Sequence, residues 1–181
     1  MHKQQIAEQL RIHHAEFSHL LATMETDDYC YAPEGKWSAA RQLDHLCKSV
    51  RPVNLAFSLP GFLLRLFFGT ANRPSRSYEQ LVEKYQAKLA AGGRASGPFL
   101  PAEARPERRA ALLQQLNRRV ESLASKVEQS DEDQLDRQIL PHPLLGKLTL
   151  REMLYFTIYH VQHHQAAILR GLSSKNSQPT S

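Results

Sequence analysis

Apolar residues recur at helical spacing through four long stretches of this 181-residue chain. No stretch alternates convincingly in the two-residue period of a half-buried strand. Ile6, Leu10, Phe17, Leu20, Leu21 and Met24 mark a helix over residues 3–24. Ser38 is a good N-cap for a second helix, striped by Leu43, Leu46, Cys47 and Val50, which Pro52 is expected to kink or end. Pro106 suits the first turn of a third helix, residues 106–129, carrying Leu112, Leu116, Val120, Leu123 and Val127. Thr149 caps a fourth, residues 149–172, which Gly171 helps to end. A shorter helix fits residues 78–91. The Pro- and Gly-containing runs YCYAPEGK (29–36), AGGRASGPFLPAEARP (91–106) and SDEDQLDRQILPHPLLGK (130–147) read as irregular connectors. The chain is therefore expected to be all-α: a helical bundle in one domain, residues 1–172, with a polar disordered tail over 173–181.

Several function classes recede on composition. The net charge of +5 is unevenly placed, with −4 over residues 1–34 and +7 over 35–94. No basic tract tracks phosphates, and Arg105, Arg108, Arg109, Arg118 and Arg119 are interspersed with Glu103, Glu107 and Glu121 as on a solvated helix face. Nucleic acid is thus an unfavoured partner, and the charge reduces to a faint preference for anionic ligands. The longest apolar piece, LAFSLPGFLLRLFFG (55–69), is broken by Pro60, Gly61 and Arg65, too short and interrupted to span a membrane. It reads instead as a core piece or an interface helix. The N-terminus lacks the apolar run of a secretory signal, and Cys30 and Cys47 form no CxxC, so a reduced, cytoplasmic setting is expected.

The histidines carry more information. The last helix contains HVQHHQ. Turning roughly 100° per residue from Leu150, its apolar stripe centres near 10°, with His164 near 320°, His160 near 280° and His163 near 220°. His160 and His164 flank the buried stripe, one turn apart, and His163 faces away. Imidazoles four residues apart can converge on one cation. A third ligand must come from another helix, and periodicity alone does not choose it. His13 falls in the first helix's stripe with His14 beside it. His45 lies roughly 150° from the stripe of its own helix, so either it is exposed or a second, polar side of that helix lines a cleft.

Two segments taken together bear a family resemblance. GKWSAARQLDHL (35–46) resembles the W-S-(x)6-H-L signature that opens the second helix of DinB-like proteins. HPLLGKLTLREMLYFTIYHVQHHQAAI (142–168) resembles that family's closing segment, with its Thr-capped helix and H-x-x-H-H-x-x-x-I. The resemblance implies an up–down–down–up four-helix bundle with one or two short extra helices. It also implies a divalent metal held by His45, His160 and His164, thereby favouring His45 as the third ligand. Family members often form homodimers and include low-molecular-weight thiol transferases and a thiol-dependent isomerase.

The expectation is a metal-dependent enzyme, using zinc or nickel by ligand type. It would activate a low-molecular-weight thiol or water for S-transfer or hydrolysis on a small-molecule substrate. Gln42, Ser49, His142 and Gln165 are candidates for supporting the ligands or lining the pocket. The rival expectation is a non-catalytic, stress-associated ligand-binding or dimerisation module on the same bundle. Whether residues 70–104 cover the site is left open by the sequence.

Overall fold

A computed structural model describes residues 1–103 and 105–176. The helices are α1 (Lys3–Thr23), α2 (Thr26–Cys30), α3 (Ala39–Ala56), α4 (Gly61–Phe68), α5 (Tyr78–Ala90), α6 (Arg109–Gln129), α7 (Glu132–Arg137) and α8 (Leu150–Asn176). The four long helices contact one another in a ring: α1 packs on α6 and α8, and α3 packs on the same two. Their apolar stripes meet in one core containing Leu10, Phe17, Leu43, Leu46, Leu116, Leu123, Leu154 and Val161, all essentially solvent-free. The mostly helical architecture is the expected one.

Local chemistry explains the element boundaries. The Ser38 hydroxyl accepts from the Arg41 N–H and caps α3. At the head of α8, the Thr149 hydroxyl accepts from the Glu152 N–H at 3.2 Å while the Glu152 carboxylate accepts from the Thr149 N–H at 3.0 Å. This reciprocal pair satisfies two donors that a helix start otherwise leaves orphaned. α6 begins after a single 3-10 turn, Pro106–Arg108.

Five details depart from the sequence reading. Tyr29 and Cys30 close the short helix α2 rather than a loop. α3 runs through Pro52 to Ala56, although the proline removes the donor that Lys48's carbonyl would otherwise receive. α8 continues past Gly171, so Ser173–Asn176 of the expected tail are helical, and the remainder of that tail lies outside the described residues. Gly171 sits at a close approach: a Cβ there would stand 3.0 Å from Pro33 Cγ, tighter than an ordinary contact.

The fourth departure is a two-stranded antiparallel ribbon, β1 (Ile139–His142) and β2 (Gly146–Thr149), in the stretch read as a connector. Its three-residue turn, 143–145, leads into Gly146 at φ +76°, the backbone geometry such hairpins place on glycine. The ribbon buries one end rather than one face, so no alternation betrays it. The fifth concerns α1: His14 is fully buried, donating from Nδ1 to the Leu10 carbonyl, whereas His13 is half-buried between Gln9 and Glu16.

The 55–69 segment divides by residue. Leu64 enters the core, while Phe62, Leu66 and Phe67 on α4 are more than half exposed. Among the described residues, no helix is long and apolar enough to cross a membrane.

Candidate metal centre

α3 and α8 face one another across the end of the core where their second, polar sides meet. His45 from α3 and His160 and His164 from α8 are all buried there. The Nε2 of His160 lies 3.1 Å from that of His45 and 3.0 Å from that of His164. One ligand atom from each residue falls within 4.8 Å of the other two, the only such grouping of histidine, cysteine or carboxylate side chains among the described residues.

Hydrogen bonds at the far side of two rings fix what the Nε2 atoms present. His45 Nδ1–H donates to the Phe99 carbonyl at 2.7 Å. His164 Nδ1–H donates to Gln42 Oε1 at 2.9 Å, and the Gln42 amide is itself oriented because its Nε2–H donates to the Trp37 carbonyl at 3.1 Å. Each ring is thereby set with a proton on Nδ1 and a lone pair on Nε2. His160 makes no such bond; its ring is held by stacking on Phe156 at 4.6 Å.

Electrostatics favours neutral rings. Burial drives His160 and His164 well below the usual imidazole range, and the neighbouring histidines push in the same direction. His45 is lowered too, by burial, against the opposing pull of its Phe99 bond. Among the described residues no carboxylate pairs with the three rings. The nearest in sequence, Asp44, instead accepts from the Ala102 N–H and from Lys48. That contact anchors the loop carrying the Phe99 carbonyl.

This donor set suits a divalent ion. Three nitrogens bound tetrahedrally at about 2.0–2.1 Å stand about 3.3 Å apart, close to the two separations found here. Three lone-pair nitrogens crowded together in a buried site repel one another unless a proton or a cation lies between them. Three protein ligands also leave a fourth position free, the arrangement of catalytic rather than structural zinc.

The sequence profile of the DinB superfamily matches residues 9–168. The chain belongs to the DinB superfamily. That superfamily is metal-associated, and the three buried histidines of this member could hold a metal. No curated protein and no solved structure matches the chain.

Of the other residues singled out from the sequence of this DinB-superfamily chain, Gln42, Ser49 and His142 line the cavities beside the histidines. Gln42 buttresses His164, as above. The Ser49 hydroxyl donates back to the His45 carbonyl and does not reach the ring. His142 accepts at Nδ1 from the Leu144 and Leu145 N–H groups, both at 3.1 Å, inside the hairpin turn. Gln165 is half-buried and lines neither cavity beside the histidines. Segment 70–104 does reach the site. Tyr85 on α5 lies perpendicular to His160 with ring centroids 6.2 Å apart, and Phe99 supplies the carbonyl held by His45. Trp37 lies 5.1 Å from His45 and almost parallel to His164. A backbone carbonyl has no sequence signature, whereas Trp37 was visible as part of the W-S motif.

Two cavities share His45 and His160 in their linings. One is a cleft of about 770 Å³ whose lining includes Lys36, Arg94, Arg170 and all three histidines. The other, about 330 Å³, is walled mainly by apolar side chains.

Proposed function

We propose that this chain is a divalent-metal-dependent enzyme in which His45, His160 and His164 hold zinc or nickel. It activates a low-molecular-weight thiol or a water for S-transfer or hydrolysis on a small substrate. The observation that carries this reading is the convergence of three buried Nε2 atoms, two of them fixed as lone-pair donors from behind. A divalent ion supplies acidity there, making a thiol or water nucleophilic near neutral pH.

The chain's own side chains do the rest. Burial keeps the three imidazoles neutral and available. Lys36, Arg94 and Arg170 make the larger cleft cationic, which suits an anionic thiol or substrate. The chain's cysteines are not the nucleophile: Cys47 turns to the Leu112 carbonyl, and burial pushes its thiol up to about 12. Neither cysteine lines either cavity, so a reacting thiol comes from solution. The same reading includes the up–down–down–up helix order, a single domain over 1–172 and a cytoplasmic setting. It also includes a homodimer, which would cover the exposed face of α4.

Turnover of 1-chloro-2,4-dinitrobenzene with added thiols tests the reaction class. S-transfer forms the sulfur–carbon bond as chloride leaves, and the thiol proton passes to solvent. Rate should rise with thiol concentration and vanish with EDTA. Ester hydrolysis that ignores thiol but still needs metal would assign the water branch. Absence of metal-dependent turnover in both assays would leave the ligand-binding module as the better account.

A further inference from the structure

The 330 Å³ cavity has a composition unlike that of the cationic cleft. Val53, Leu64, Leu140, Met153 and Phe156 are among its walls, and His45 and His160 form one end. An enclosed apolar cavity of about 150 Å³ admits benzene. This one has room for an aromatic ring with a substituent, and falls within the size range of small-molecule sites.

Few polar groups face that space. The Ser49 hydroxyl is spent on its own helix, and Arg94 and Ser96 are exposed side chains of the loop after α5. His142 is different. Its Nδ1 accepts from two backbone N–H groups of the turn, so the ring proton sits on Nε2, and that N–H has no hydrogen-bond partner among the described residues. Phe156 touches both histidines, its centroid 4.3 Å from His142 and 4.6 Å from His160. A neutral donor is thus held in an apolar pocket one aromatic ring away from the proposed metal ligands.

We infer that this cavity seats an uncharged apolar group of the substrate bearing a carbonyl oxygen, and that His142 Nε2–H donates to that oxygen. The inference rests on the proposed function only for what reacts beside the cavity. The substrate class it names is an aryl or alkyl carbonyl compound, oriented so that its electrophilic end meets the histidines. A donor set among apolar walls discriminates, because a substrate lacking the acceptor displaces water from it without replacing the bond. Across the apolar part of the wall nothing would repay the desolvation of a charged group.

The test uses metal-free full-length protein with acetophenone and ethylbenzene as probes. Protein labelled with ¹³C at its three methionine methyls should show Met153 shifting on addition of acetophenone while Met1 and Met24 stay put. His142→Asn keeps a side-chain acceptor for the turn, in the manner of an Asx turn, but withdraws the Nε2–H. The ratio of acetophenone to ethylbenzene affinity should fall about tenfold in that variant, the worth of one net hydrogen bond. Ala56→Phe, which fills the cavity, should lose both probes. An unmoved Met153 methyl, or an unchanged ratio in a His142→Asn protein with a native melt, overturns the inference. Metal content plays no part in these readouts, so a failed metal site and a failed cavity assignment give different results.

Discussion

Glu152→Ala should melt on the order of 10 °C below the wild type at pH 7. Glu152 is fully buried at the head of α8, where it receives Arg73 at 2.6 and 2.8 Å, Arg76 through both its guanidinium and its backbone N–H, and the Thr149 N–H. One carboxylate therefore closes the α8 cap and ties the segment leading into α5 to that helix. Alanine leaves two arginines and two backbone donors without their acceptor. Removing one partner of a buried ion pair costs about 3–5 kcal/mol. Arg73 and Arg76 are about one-third exposed and regain some water, which puts the expected loss near the lower figure. At about 2–4 °C per kcal/mol for a chain of this size, the melt shifts accordingly.

The same residue sets an acid dependence. Burial pushes the Glu152 carboxyl up, but hydrogen bonds from Arg73 and from the Arg76 and Thr149 backbone outweigh it and hold the group down at about 2. Its folded pKa thus lies below its unfolded one. The stabilisation is complete above about pH 4.5 and drains away as pH falls toward 2. The gap between wild type and Glu152→Ala should be full at pH 7 and narrower at pH 3. A constant gap across that range would mean that Glu152 acts by packing alone.

The second large effect is on metal-linked stability. An ion that binds only the folded chain at a hundredfold excess over its Kd stabilises it by about 2.7 kcal/mol. Zinc or nickel should therefore raise the melting temperature by about 5–10 °C. His160→Ala should abolish the shift, because it removes the nitrogen that stands 3.1 and 3.0 Å from the other two. Gln42→Leu should leave a smaller shift. It removes the acceptor that fixes His164, and losing such a partner typically weakens metal binding 10–100-fold. A shift in His160→Ala equal to that of the wild type would place the responsive ion elsewhere.

These effects sit on a structure that the sequence disclosed unevenly. The four long helices were legible because each buries one continuous apolar stripe. The hairpin at 139–149 was not, since it buries an end, and Pro141 sits in β1 opposite Lys147. Gly171 looked like a helix stop but serves the contact with Pro33 inside α8. His160 and His164 could be placed by the wheel because they border their helix's stripe. His45 could not: α3 is buried on two sides, an apolar one and a polar one bearing Gln42 and His45, and periodicity registers only the first. Only the resemblance to DinB-like proteins favoured it over His13, and the structure brings its ring against His160. The Phe99 carbonyl and the turn-bound tautomer of His142 depend on backbone geometry and leave no trace in residue type.

The most direct test of the three-histidine centre is the metal content of the wild-type protein purified without chelators, measured by plasma mass spectrometry beside His160→Ala. About one divalent transition-metal ion per wild-type chain, absent from the variant, is the predicted result. A wild-type protein without stoichiometric metal, or a variant that retains it, would contradict the account.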